Sequence, residues 1–396
     1  MLDFNKLIPQ IKEVGHENLL NRSSPLEILQ AAKEAFADAA EKPALLKAKL
    51  RENGGNTFWP LSLPIEPFGC QFAVADYAGK HTVVACDGSQ IMPSSHEVYS
   101  CYLLNTGAVV IHYGTDTKPL LASFPRLYHK SDEVYPLIDQ RRIHVDQAIV
   151  SLERQLTELT TASELAICSR DANAPLVTMV DGSLIPWSID HMPDSYQREF
   201  VDRMLVVLDV FLAERIPIIG YVSHSRSADV VNNMRVWRCP FPSSRCQTFC
   251  GHLNEEDFPC SAIWPLSDRS LLASQLPKHH RSGMFSSGSR WSTMMGGRHN
   301  VCFCYLATDE EVARLEMPRW MYDDKEMLDL AISVALSQSV KGQGYPIALA
   351  EAHNLAVIRQ ADRKHFFDLL TSHLVSTGVD RVSVSQKERH KRRSIL

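Results

Sequence analysis

Two identical tripeptides, Asp87-Gly88-Ser89 and Asp181-Gly182-Ser183, each follow an apolar, β-branched run (82–86 and 176–180). An Asp at a strand end projects its carboxylate past the sheet edge, and the Gly after it leaves room for a cation or a phosphate to come close. Two such carboxylates suit a shared ion. Asp-Gly is also an ordinary turn dipeptide, and what sets this pair apart is its repetition in one context. Between the two, a helical stretch carries Glu153, Glu158 and Glu164, although an isolated helical Glu by default faces solvent. Further on, Tyr345-Pro346 opens a helix on which Leu349, His353 and Val357 share one face, so that His353 points inward as a packed residue or as a ligand. Asp87, Glu164, Asp181 and His353 together are a carboxylate-rich set with one imidazole, the donor chemistry of Mg²⁺ and, given the nitrogen, of Mn²⁺. Crowded carboxylates repel one another until divalent ions neutralise them. Two ions can then hold a scissile phosphate, activate a water and stabilise the departing 3′ oxygen. A metal-dependent phosphotransfer site is as far as spacing alone reaches.

A second group, Cys239, Cys246, Cys250, His252 and Cys260, falls within 22 residues. With six, three and nine residues between successive Cys, it lacks the paired Cys-x2-Cys knuckles of a zinc ribbon. Buried or incidental thiols in a long loop are the expectation, with a structural zinc or iron–sulfur site as the alternative.

Ser24, Pro25 and Glu27 start a helix over 24–41 with a capping box. The run 82–86 is a buried strand ended by a turn at Asp87-Gly88-Ser89, and 98–113 reads as two strands hinged at Asn105-Thr106-Gly107. A helical pattern over 134–168 leads to the strand 176–180, a helix over 196–214 and a strand over 216–222. Residues 239–300 are irregular, then come a strand at 301–307, helices at 324–340 and 346–372, and a basic run, Lys387-Glu388-Arg389-His390-Lys391-Arg392-Arg393. Alternating strands and helices predict an α/β fold, a mixed sheet flanked by helices. The expected organisation is an N-terminal helical region (1–75), a central domain (76–375) holding the Cys-rich insertion (239–300), and a basic tail (376–396).

The whole chain fits an ordinary globular protein, with 396 residues, 45% hydrophobic and 22% charged. No apolar run approaches the roughly 20 residues of a membrane span, and the first residues lack a signal-peptide pattern, so a cytoplasmic protein without membrane contact is expected. Ten Cys are too few for a disulfide framework. A net charge of −5 excludes a nonspecific polycation, though Arg226, Arg235, Arg238, His279, His280, Arg281 and Arg290 could line a local basic path. No Gly-x4-Gly-Lys-Ser/Thr phosphate loop occurs, so ATP-driven movement would need another protein.

In the order of its motifs the chain resembles the NurA nuclease family, partners of the HerA translocase in DNA end processing. The resemblance rests on the two strand-plus-Asp-Gly-Ser units, on Ile219-Gly220-Tyr221-Val222 followed by Ser223-His224-Ser225-Arg226, on Arg314-Leu315-Glu316-Met317-Pro318 with Trp320, and on Tyr345-Pro346 with Leu349, Ala352 and His353. It implies an RNase H-like fold in which carboxylates on a first strand, a helix and a later strand gather around Mn²⁺ or Mg²⁺, two ions in all. Metal ligands would be Asp87, Glu164 and Asp181, with Tyr345 and His353 completing the site and with Ser89, Ser183, His224 and Arg226 beside the substrate. Glu153 or Glu158 takes the place of Glu164 if the helix is longer or shifted. Two features depart from the family pattern: His224 stands where a Lys is common, and the Cys-rich segment is additional. The activity implied is a 5′ to 3′ DNA exonuclease with endonuclease action on single strands, in end resection and recombinational repair, working as a homodimer with a HerA-type hexamer. Competing readings are a catalytically inactive scaffold that binds DNA or a translocase, and a phosphoesterase acting on small nucleotides.

Overall fold

The computed structural model describes residues 3–20, 25–93 and 99–377; the Ser24 cap and the basic run 387–393 lie outside them. Three helices, α1 (Phe4–Leu20), α2 (Pro25–Glu41) and α3 (Pro43–Asn53), precede a large mixed sheet. Its long strands are β1 (His81–Ile91), β2 (Tyr102–Tyr113), β3 (Leu120–Tyr128), β4 (Leu176–Asp181), β5 (Ile218–Val222), β6 (Val301–Ala307) and β7 (Val312–Pro318). They lie in the order β6-β7-β5-β4-β1-β2-β3, and short strands at 63–64, 71–73, 280–282 and 285–286 extend the β6 side. β1, β2 and β3 form an antiparallel meander, β4 and β5 run parallel to β1, and β7 closes antiparallel on β5. The helices that return the chain between parallel strands are α4 (Gln147–Cys168) and α5 (Asp194–Ala213). After β5 come α6 (Asp229–Trp237) and, late in the chain, α7 (Lys325–Lys341), α8 (Ile347–Ala356) and α9 (Gln360–Ser376). None of the helices among the described residues is long and apolar enough to cross a membrane.

β1 reads as a continuous apolar run because both faces are covered. Its side chains alternate between two helices. Gly88 faces α4: a Cβ there would lie 2.3 Å from Glu158 Oε1 and 2.8 Å from Arg154 Cγ. Asp87 and its cross-strand partner Gly107 face α8, where a Cβ on Gly107 would lie 2.1 Å from the Ala352 carbonyl oxygen. These two glycines correct two expectations. Asp87-Gly88-Ser89 is no turn, since β1 continues to Ile91, and Asn105-Thr106-Gly107 is no hairpin but the middle of one strand. In both places glycine answers the close approach of a helix, not a reversal of the chain. Asn105 Nδ2 donates to the carbonyls of Leu355 and Ala356 (3.1 and 2.8 Å), and Ser89 Oγ also donates to Ala356 O. Those bonds satisfy the end of α8, which is why the helical stretch expected at 346–372 is broken into α8 and α9.

The helix α4 starts at Gln147, not near 134, because Asp146 caps it by accepting from Ile149 N at 2.9 Å. Residues 239–300 hold short helices at 246–249, 268–272 and 290–294, and their two short strands pair into the main sheet. A second apolar cluster joins α2, α3 and α6 to the Phe303, Tyr305 and Ala307 side of β6.

Candidate active site

Three acidic residues meet where β1, α4 and β4 approach one another. Asp87 is nearly buried in β1; its Oδ1 accepts from Gly88 N (2.7 Å) and its Oδ2 lies 2.7 Å from His353 Nδ1. An ionised carboxylate only accepts, so Nδ1 carries the hydrogen and Nε2 is left facing outward on a side chain that is 58% exposed. Asp181 ends β4, and Gly182 follows at φ +98°, a conformation that glycine adopts without strain. This second tripeptide is therefore a genuine turn. Asp181 is bonded by the Tyr345 hydroxyl. Asp181 keeps an exposed edge, but the packing around its carboxyl pushes it up and the Tyr345 bond pulls it back, while Asp87 raises it and His353 lowers it. Burial also raises the Tyr345 hydroxyl, and the neighbouring Asp181 carboxylate raises it further.

The helix contributes Glu158. It is buried, and burial pushes its carboxyl up to about 8, with Arg154 acting downward and Asp87 and Asp181 upward. Arg154 stands over it: Nη1 donates to Gly88 O at 3.0 Å, while Nε lies 3.4 Å from Glu158 Oε1 without hydrogen-bond geometry. Glu158 Oε1 is consequently a buried acceptor with an ion-pair neighbour but no hydrogen-bond donor.

Glu164 does not join this group. Six residues on from Glu158, it sits about a third of a turn round the helix; it is exposed and lines an 860 Å³ cleft with Tyr102, Arg126 and Tyr196. Glu153 is occupied elsewhere, clamped by Arg203 at 2.6 and 2.7 Å and by Tyr196 at 3.3 Å. His353, expected to point inward, instead lies at the exposed mouth with its ring turned onto Asp87. Ser89 is tied to the end of α8. His224, with φ +45°, is exposed; its N–H donates to Glu311 Oε2 (2.9 Å) and its ring contacts Arg269. Arg226 is exposed beside a separate cleft with Trp59 and Arg235.

Ser183 belongs to a buried framework that spacing did not suggest. Glu316 Oε2 accepts from Ser183 Oγ (2.8 Å) and Leu184 N (2.9 Å), fixing the turn after Asp181. Glu316 Oε1 accepts from Arg314 Nε (2.7 Å), and Arg314 Nη1 reaches Asp229 Oδ2 (2.8 Å) and the Tyr305 hydroxyl (3.2 Å). Tyr305 in turn donates to Asp268 at 2.6 Å, and Asp268 accepts from Val230 N and Val231 N at the start of α6. Burial and the Asp229 carboxylate push the Asp268 carboxyl up to about 7. The only forewarning of this framework was Arg314 and Glu316 alternating on an otherwise apolar strand, two charges facing the interior together.

The donor set fits a hard divalent cation. It offers carboxylates from three elements and an orphaned buried oxygen on Glu158 that a cation would satisfy. The cage is not ready-made: among the described residues no three His, Cys, Asp or Glu side chains converge tightly enough to hold one ion as they stand, and His353 and Tyr345 engage Asp87 and Asp181.

A family model, the NurA domain, matches residues 81–358. The chain belongs to the NurA family. The match runs from β1 to just past α8 and so contains all of the residues gathered at the site. No curated protein matches the sequence. Among solved structures, the chain is similar to the NurA nuclease from Sulfolobus solfataricus (13% identity, 86% of this chain and 93% of that one, TM-score 0.48). It is also similar to a second NurA structure (9%, 76% and 90%, TM-score 0.39) and to a NurA bound to dAMP and manganese (10%, 85% and 94%, TM-score 0.36).

Proposed function

We propose that this NurA-family chain is a divalent-metal-dependent deoxyribonuclease whose ligating carboxylates are Asp87, Glu158 and Asp181. The observation that carries the reading is the buried Glu158 carboxyl set between Asp87 and Asp181, whose Oε1 receives no hydrogen bond and only a 3.4 Å ion pair from Arg154, a costly arrangement that a bound cation would relieve. Meander, parallel β4 and β5 and the helix-borne glutamate support an RNase H-like description of the fold. When bound, Mn²⁺ or Mg²⁺, as two ions, would neutralise the carboxylates, activate water and stabilise the leaving 3′ oxygen.

The protein's own residues do the positioning. His353 Nδ1–H holds Asp87 Oδ2 and keeps Nε2 toward the open side, where a phosphate or an ion would arrive. Tyr345 holds Asp181, and Arg154 bridges the β1 backbone to Glu158, so each carboxylate is oriented by a neighbour. Glu316 fixes the turn that carries Asp181. The finer reading comes from the family resemblance: a cytoplasmic homodimer acting 5′ to 3′ on DNA ends, with endonuclease action on single strands, in end resection beside a HerA-type translocase.

The test is degradation of linear duplex, circular single strand and mononucleotide, with and without Mn²⁺. Metal-dependent loss of the polymer, abolished in Glu158→Gln and retained in Glu164→Gln, is the expected result. Polymer degradation that survives Glu158→Gln overturns the ligand set, and activity on the mononucleotide alone overturns the substrate.

A further inference from the structure

The Cys-rich segment packs against the N-terminal helices, away from the carboxylates. Lys49 of α3 holds the carbonyls of Trp237 and Cys239 (3.0 and 3.3 Å), and Asn56 O accepts from Cys246 N (2.9 Å). Cys246 opens a single helical turn and Cys250 closes it, with Cys250 N donating to Cys246 O at 2.8 Å, which sets the two side chains one turn apart on the same side. Cys250 and Cys260 pack with Phe258 in one small apolar cluster walled by Trp59, Phe241 and Phe249. Cys246, Cys250 and Cys260 are buried, and all four cysteines carry free thiols.

The thiols also sense one another. Cys239, Cys250 and Cys260 all lie close enough to Cys246 to act on it electrostatically, and Cys239 and Cys260 do the same to Cys250.

A second observation comes from Arg235 of α6. Its side chain is 3% exposed, and its guanidinium lies 3.7 Å from the centre of the Trp59 ring. Nη1 pairs with Glu255 Oε1 (2.8 Å), yet Nε and Nη2 are buried donors without an acceptor, as is Trp59 Nε1. A buried cation with two idle N–H groups is expensive. It lies close enough to Cys250 to act on it electrostatically. An anionic metal–thiolate centre would supply the missing acceptors and balance the charge.

We propose that Cys239, Cys246, Cys250 and Cys260 bind a soft metal centre as a four-thiolate site, with Arg235 as its buried counter-cation. Four sulfur ligands select an iron–sulfur cluster or zinc. As they stand, no three of these thiols converge on a single ion. A cluster holds its four thiolates further apart than a single zinc does at about 2.3 Å per bond. Binding releases the thiol protons. The proposal is independent of the nuclease reading.

The test is metal analysis of the full chain, expressed and purified without oxygen, for iron, acid-labile sulfide and zinc, together with its visible absorption. Near-stoichiometric metal is expected, and equal iron and sulfide with a dithionite-bleached visible band identifies the cluster, whereas a single colourless zinc identifies a zinc site. Cys250→Ala and Cys260→Ala should lose most of the metal, whereas Cys168→Ala, at the exposed end of α4, should keep it. Wild-type chain without iron or zinc overturns the proposal, as does a disulfide among the four or full metal retention in both buried variants.

Discussion

Glu158→Gln separates what the carboxyl costs the fold from what it gives the site. The folded protein holds Glu158 protonated up to about pH 8, whereas the free side chain ionises near 4.5. A carboxyl whose folded pKa is raised contributes stability that is fully present below pH 4.5 and is lost progressively as pH rises toward 8. Each unit between those values costs about 1.4 kcal/mol, so the metal-free wild type carries a burden of about 3 kcal/mol at pH 7 and somewhat more at pH 8. Gln has the same shape and cannot ionise. In the presence of a chelator, urea unfolding of the two proteins at pH 5, 6, 7 and 8 should therefore show Glu158→Gln gaining on the wild type as pH rises, while its nuclease activity is lost. Adding Mn²⁺ should close the gap by stabilising the wild type alone. A stability difference that stays flat across the four pH values would mean that Glu158 is solvated and titrates as an ordinary carboxyl, and the reasoning about the site would fail with it.

Because ion binding must displace the Glu158 proton, Mn²⁺ affinity measured by calorimetry should rise with pH up to about 8 and level off, with proton release that disappears in Glu158→Gln. Gly88→Ala drives a methyl into the buried Glu158 carboxyl and should abolish cleavage and lower the unfolding midpoint, as measured by degradation assay and urea titration. Glu316→Ala strips the fully buried Arg314 of one carboxylate and should cost about 3–5 kcal/mol in urea unfolding, with activity falling because the Asp181 turn loses two bonds. Glu153→Gln should leave activity near wild type and lower stability by about 1 kcal/mol, since its partner Arg203 is partly solvated.

Much of this arrangement was legible in one dimension. The strands over 82–86, 176–180, 216–222 and 301–307 announced themselves as apolar runs, and the aspartates after the first two fell at one site. What periodicity could not resolve was which glutamate of a long amphipathic helix faces the sheet, because the choice is made by a neighbour. Glu158 faces inward where Gly88, on another element, leaves space for its carboxyl, while Glu153 is claimed by an arginine 50 residues away and Glu164 is left to solvent. The same blindness explains the glycine errors. Asn105-Thr106-Gly107 and Asp87-Gly88-Ser89 carry turn composition, but their glycines serve helix approach, a property of tertiary contact that has no local signature.

One buried line of charge links the turn after Asp181 to the helix that carries Arg235. Glu316 grips the turn after Asp181, Arg314 joins Glu316 to Asp229, and Asp229 opens α6, the helix whose next two turns carry Arg235 to the cysteines. Asp268 secures the start of that helix by accepting from the free N–H groups of Val230 and Val231. Such a framework is a poor source of net stability, since desolvating Arg314 and its carboxylates offsets most of their attraction. Its advantage is rigidity, because none of its members can move without stranding a buried charge. Asp181 is therefore held to a tolerance that a surface turn could not give it, and the thiol-bearing segment is anchored to the same spine. This explains why charges are threaded through β7, a strand that hydrophobic residues alone would have filled at lower cost.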